Sequence, residues 1–213
     1  MIRKLVKSEF ALNWRWFNYI FYIMPLVLLA PEYPAFVGMI YFVFIITSLF
    51  PSFAANKDFS FSAMLPVTRR QIVAVKLIDV LVAQGGMLLV AAPILAIRYI
   101  LYPQGDILMD GNMTFVGMTL IGYGVFVLAF LPTYFRGLSA PKAQIFAILI
   151  YFVAIGVLEG IMSIPVLNGI FDGYAPANQL WQGLFMAFGA VLYALSIFAA
   201  YRLAVRNFMR YNL

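Results

Sequence analysis

The sequence predicts an all-α polytopic membrane protein with six transmembrane helices and both termini in the cytoplasm. Three observations predict it: a composition that water cannot solvate, six charge-poor apolar runs of about span length, and bases confined to alternate connections. Of 213 residues, 65% are hydrophobic and 10% charged, with a mean hydropathy of +0.96. A soluble domain carries about a quarter charged residues because its outside faces water. Eight acids and fourteen bases cannot cover such a surface, so lipid is the expected solvent.

A hydrocarbon core of roughly 30 Å needs about 20 apolar helical residues at ~1.5 Å each. The runs that meet this are Trp16 to Ala30, Ala35 to Phe53, Leu77 to Ile97, Met113 to Tyr134, Ile145 to Ile164 and Leu180 to Tyr201. The first is short, and snorkelling of Arg15 can lengthen it. Pro31 to Pro34 turns the chain into the second. In hydrocarbon every backbone amide needs an internal partner, so the runs are predicted helices; the alternation of a barrel strand is missing. With the amino terminus in the cytoplasm, thirteen of the fourteen bases fall inside. Arg98 alone falls outside, with Glu32, Asp106, Asp110 and Asp172, as the positive-inside rule expects of six spans. The bases then face anionic headgroups, which excludes a nucleic-acid reading. The whole chain, 1–213, reads as one transmembrane domain. No small-residue cleavage site follows the first apolar run, so that segment is expected to stay.

Neither cysteine nor histidine occurs. Disulfides, thiol nucleophiles and imidazole bases are thereby absent, and nearly all transition-metal sites with them.

At the amino terminus, Ile2, Leu5, Val6, Phe10, Asn13, Trp14 and Phe17 recur at spacings of three and four, with Arg3, Lys4, Lys7 and Glu9 between them. This predicts an amphipathic interfacial helix leading into the first span. The alternative is a first span extended back to about Phe10.

The connection from Ala54 to Lys76 holds the most information. Asn56 or Asp58 can cap a short helix carrying Phe59, Phe61, Met64 and Leu65, which Pro66 ends. Thr68 is a second cap, with Gln71 at the capping-box spacing, so a helix is predicted to continue from there into the third span. Exposed Phe and Met on such a loop need cover, from the bilayer surface or from a partner protein.

Leu65-Pro66-Val67-Thr68-Arg69-Arg70-Gln71-Ile72-Val73, followed by Lys76-Leu77, resembles the signature of permease subunits in type-two ATP-binding-cassette exporters. The compact bacterial six-span members of that family are similar in length, topology and motif position. Asp58 stands where an acidic residue precedes the signature, although Asn56-Lys57-Asp58 is less acidic than in many relatives. The resemblance implies a coupling helix between spans two and three, docking on a cytoplasmic ATPase through Asp58, Phe59, Phe61, Met64, Leu65, Pro66, Arg69 and Arg70. It also implies two ATPase copies that bind ATP and Mg, and a second permease chain, identical or homologous. The cargo would be a peptide, antibiotic or lipid-like amphipath, and the site the bacterial plasma membrane. The chain has no phosphate-binding Gly-x-x-x-x-Gly-Lys-Ser/Thr loop. The ATPase is therefore expected to be a separate polypeptide, and this chain no enzyme.

Intramembrane charge is costly, which makes Asp79, Arg98 and Glu159 candidates for pathway or structural roles. Asp79 can pair with Lys76 one turn away, Arg98 can snorkel outward, and Glu159 can pair with Arg98 or face a cationic substrate. Gly156 and Gly160 form a Gly-x-x-x-Gly pair in span five, and Gly117, Gly122 and Gly124 cluster in span four; such pairs commonly pack helices within one chain, but in the resembled family spans one and five approach the partner permease, so the resemblance implies a dimer seam at Gly156 and Gly160. Pro165 to Asn178 is too polar for a seventh span, and the resemblance implies short outer helices there that cap the pathway. Two other classes fit less well. An intramembrane enzyme would need clustered catalytic groups that the sequence lacks. An ion-coupled secondary transporter would show an internal repeat with broken helices, and none is evident.

Overall fold

The computed structural model describes residues 2–30, 34–55, 68–101, 109–137 and 139–210. All regular structure among them is helical. Helix α1 spans Ile2–Asn13. α2, Trp16–Ile20, tightens into a 3-10 helix over Phe21–Leu29 that contains Pro25. α3 (Ala35–Met39) and α4 (Phe42–Ala55) follow, then α5 (Arg69–Leu101), α6 (Met113–Gly137) and α7 (Ala140–Met162). α8 is short (Pro165–Phe171), and a 3-10 turn at Pro176–Asn178 leads into α9 (Gln179–Met209).

Among the described residues, four helical stretches are long and apolar enough to cross a membrane: α5, α6, α7 and Pro176–Arg210. Trp16–Leu29 and Ala35–Phe50 are shorter apolar helices. The long helices outrun the predicted spans because hydropathy marks hydrocarbon rather than helix ends. α5 starts at Arg69, not Leu77, and α9 continues past Tyr201 to Met209. The expected capping box forms at the start of α5: Thr68 N donates to Gln71 Oε1 at 2.9 Å, and Gln71 N donates to Thr68 Oγ1 at 3.3 Å. The first satisfies the Thr68 amide, which the helix start leaves without an intrahelical acceptor, and the second adds to the bond Gln71 N makes to the Thr68 carbonyl at 2.9 Å.

α1 ends before Trp14, and Arg15 is extended, so the first apolar helix does not reach back to Phe10. Pro165 to Asn178 holds α8 and the 3-10 turn, short helical pieces of the kind the family resemblance implied there.

α6 is the centre of the bundle. Its contact with α9 is the most extensive among the described helices, and α7 packs on it next. Small residues allow this closeness. A Cβ on Gly189 would lie 2.5 Å from the carbonyl oxygen of Gly117, and one on Gly117 would lie 3.0 Å from Cα of Met186. Gly122 faces Tyr151, and Gly124 faces Ser196. The span-four glycines therefore pack helices within this chain. Gly189→Leu is expected to push α9 off α6 and cost about 1–3 kcal/mol or more, since the clash is with backbone. Thermal unfolding in detergent checks this, and an unchanged midpoint would refute the close approach.

On the other side, α4 lays Phe42 and Phe50 against α6. Phe42 stands 4.6 Å from Tyr123 and 4.9 Å from Phe126, and Phe50 stands 4.8 Å from Phe130 and 5.0 Å from Tyr134, all edge-on. Edge-to-face geometry at such distances is favourable beyond area burial. Between α3 and α4 the helix breaks, and the Met39 carbonyl accepts from Tyr123 Oη at 2.8 Å. Gln84 Nε2 donates to the Tyr123 carbonyl, and Tyr193 Oη donates to Gln84 Oε1 at 2.9 Å. That chain of bonds ties α5, α6 and α9 where unsatisfied polar groups are most costly.

The segment from Trp14 to Leu28 runs along α5. Trp14 bonds Asp79, Tyr22 bonds the Val82 carbonyl, and Arg98 bonds the Leu28 carbonyl. Asp79 and Arg98 are nineteen positions apart on one helix, roughly 28 Å at ~1.5 Å per residue. The 3-10 form contributes to this reach, because it rises about 2.0 Å per residue.

Candidate functional site

Two clusters of buried polar groups lie at opposite ends of α5. At its amino-terminal end, Lys76 is fully buried. Its ammonium pairs with Glu9 of α1 and stands 3.4 Å from Asp79 Oδ2. The Phe50 ring lies 5.2 Å from Nζ, near enough for a cation–π contact. Trp14 Nε1 donates to the other Asp79 oxygen at 3.0 Å, while the Trp14 ring stacks on Phe10 at 5.0 Å. The expected Lys76–Asp79 pair is present. The sequence reading missed Glu9 as a partner, having placed it among the bases of a polar face. The Glu9–Lys76 pair thus secures α1 to α5, and Asp79 holds Trp14 just beyond α1.

Arg69 Nη1 donates to the carbonyls of Phe208 and Met209 at 2.9 and 3.2 Å, with the guanidinium 5.5 Å from the Phe208 ring centre. A cation at a helix carboxy terminus is favoured by the unpaired carbonyls there. Arg69 therefore joins α5 to the end of α9. Arg70 is exposed beside it. Asp58, Phe59, Phe61, Met64, Leu65 and Pro66 lie outside the described residues.

At the other end of α5, Arg98 is 1% exposed, so it does not snorkel outward. It donates to the Leu28 carbonyl and lies near Asp110 and Tyr174. Glu159, half-buried, turns to the Met109 backbone and lies near Asp172. Both side chains lie at the Met109–Asp110 loop and do not pair with each other.

Around them the loop ahead of α6 is pinned to the end of α8 and the turn that follows it. Asp110 N donates to Asp172 Oδ1 at 2.9 Å, and Asn112 Nδ2 donates to the Phe171 and Gly173 carbonyls at 2.9 and 3.1 Å. Asn112 Oδ1 accepts from Phe115 N at 3.1 Å, an N-cap bond on α6. Gly173, at φ +73°, takes the left-handed turn that glycine tolerates best. Burial first, and the neighbouring Asp172 second, push the Asp110 carboxyl up to about 6.

Beside this cluster lies an open groove of about 420 Å³ between α5, α6 and the start of α9. Ala92, Leu95, Ala96 and Val116 line its apolar part, and Asn112, Tyr174 and Gln182 line its polar part.

Gly156 and Gly160 are exposed on α7, and a Cβ on either would meet nothing within 4 Å. Phe152, Val153 and Val157 are exposed beside them. Unlike the span-four glycines, this pair packs against nothing in its own chain among the described residues.

A bundle of long apolar helices with buried, internally paired charge is that of a multi-pass membrane protein. Residues 4–206 match the ABC-2 family transporter protein family, and the chain belongs to that family. No curated protein and no solved structure matches it. Membership implies a cognate ATP-binding-cassette ATPase.

Proposed function

We propose that the chain is the permease subunit of an ATP-driven exporter, forming half of a translocation pathway and driven by two copies of a separate ATPase. The observation that carries the reading is the family match over residues 4–206. The signature at Leu65 to Leu77 supports it, standing where α5 begins.

The finer reading is six spans with both ends in the cytoplasm of a bacterial cell. It is supported by the course of Trp14 to Leu28 along α5, about 28 Å. Beyond that crossing, Leu28 lies against Gly38 at the start of the return. At its finish Phe50 reaches Lys76. Glu9–Lys76 and Arg69–Phe208 put α1 and the end of α9 at the same end of α5, as an even number of crossings requires. Single cysteines at positions 4, 68, 141 and 209 are expected to react only with reagent inside the cell, and those at 106 and 172 only with reagent outside. Outside labelling of position 209 would contradict the six-span topology.

The open Gly156–Gly160 face of α7 is the proposed seam with a second permease chain. Replacing both glycines with leucine would push apart backbones that touch across it. Permease–permease crosslinking should fall while membrane insertion is kept. An unchanged crosslinked fraction places the seam elsewhere. The cargo proposed is an amphipath, in keeping with an aromatic content of 17%.

A further inference from the structure

α9 gives one side to α6, through Gly189, Tyr193 and Ser196, and the side opposite is bare. Phe188, Val191, Leu195 and Phe198 stand there at spacings of three and four, each more than half exposed. Arg202 and Arg206, both exposed, continue the stripe over the next two turns. At ~3.6 residues per turn the six fall within about 80° of one another around the axis.

The lengths suit a lipid leaflet. α9 has 31 residues, roughly 46 Å at ~1.5 Å each, against a hydrocarbon core of roughly 30 Å. The arginine-bearing turns therefore reach the headgroup layer. From Arg202 back to Val191 is roughly 16 Å, close to the hydrocarbon depth of one leaflet.

Like charges one helical turn apart repel, and nothing in the chain offsets this pair. α9 contains no acidic residue. Glu9 and Asp79 are taken up by Lys76, while Asp110, Glu159 and Asp172 gather at the other end of α5. Neither Arg202 nor Arg206 pairs with a carboxylate among the described residues. The carbonyls at the end of α9 do not hold them either, since Phe208 and Met209 accept from Arg69. Arg202 folds back over Phe198, with its guanidinium carbon 4.4 Å from the ring centre, a cation–π contact that keeps it beside the apolar stripe. Arg206 stands one turn further out. An anion between them relieves the repulsion. A soluble acidic protein supplies the charge but leaves the stripe below uncovered, whereas an anionic amphipath covers both.

We propose that Arg202 and Arg206 bind the phosphate of an anionic phospholipid from the leaflet at the carboxy-terminal end of α9. One acyl chain lies along Phe198, Leu195 and Val191. The inference needs only that α9 crosses a membrane, and it rests on neither the ATPase nor the number of spans.

Native mass spectrometry of the delipidated protein tests it, by titration with dioleoyl lipids bearing glycerol, ethanolamine or choline heads. All three carry the phosphate, and only the glycerol lipid keeps a net negative charge. It is expected to bind about tenfold tighter than the choline lipid, the scale of one hydrogen bond to a charged group. Arg202→Gln with Arg206→Gln should erase that preference. Arg136→Gln with Lys142→Gln removes the same charge from exposed positions off the stripe, at the end of the bundle where Asn207 Nδ2 donates to the Pro132 carbonyl at 2.8 Å, and should leave the preference intact. Glycerol phosphate, which has no acyl chain, should not displace the lipid at equal concentration. Equal binding of glycerol and choline lipids by the unaltered protein, an equal loss in the Arg136–Lys142 variant, or displacement by glycerol phosphate would each overturn the proposal. So would a preference that survives in the Arg202–Arg206 variant; if that variant also lost its ATPase, the arginines would belong to the protein partner.

Discussion

Lys76→Met is expected to destabilise the protein by about 3–5 kcal/mol, the range for breaking a buried ion pair from one side. Lys76 and Asp79 are both fully buried, and Glu9 is nearly so. Without the ammonium, two carboxylates remain together out of water, and methionine offers neither a charge nor a donor. The loss should be visible as a fall in thermal midpoint in detergent and as freeing of α1, with faster proteolysis between Asn13 and Trp16. Adding Glu9→Gln and Asp79→Asn to the same variant should recover most of the loss, because the buried charge is then gone. A single variant as stable as the parent would show that Lys76 does not hold the cluster together.

That cluster also shows how far the sequence could be read. Lys76 and Asp79 are one turn apart on a helix, so their pairing is written in the spacing. Glu9 and Trp14 come to the same point from 67 and 65 positions away. Periodicity states that α1 has an apolar face, but it does not name the helix that face meets. Trp14 was legible as apolar and not as a hydrogen-bond donor, since its ring stacks on Phe10 while its indole nitrogen serves Asp79.

The span assignments followed from hydropathy, and α5, α6, α7 and α9 occupy the expected runs. The Thr68–Gln71 box was legible because capping is local. Arg69 was not: its chain position suited a lipid-facing base, yet tertiary folding brings the carboxy-terminal end of α9 to it. The glycines divide in the same way. Composition marked those of α6 and α7 alike, and only packing separates Gly117, which meets α9, from Gly156 and Gly160, which meet nothing in this chain. Gly189 escaped notice because its partner is the backbone of a helix more than seventy positions earlier. The groove at Gln182 had no sequence signal, being assembled from three helices.

The central claim, a permease driven by a separate ATPase, is tested most directly at the connection between α4 and α5. Phe59, Phe61 and Met64 are the proposed anchors in a groove on the ATPase, with Leu65-Pro66 forming the corner. Each aromatic anchor at the centre of an interface is worth about 2 kcal/mol or more. Changing Phe59 and Phe61 together to serine therefore costs at least about a hundredfold in affinity, at roughly 1.4 kcal/mol per decade. Arg69→Gln should act differently, loosening the α5–α9 junction. The measurement is the amount of ATPase that copurifies with the chain from membranes, at matched permease levels. The account predicts stoichiometric ATPase with the unaltered chain and almost none with the double serine variant, which still inserts and folds. Full retention of ATPase by that variant would contradict the docking residues, and absence of any ATPase from the unaltered chain would contradict the central claim.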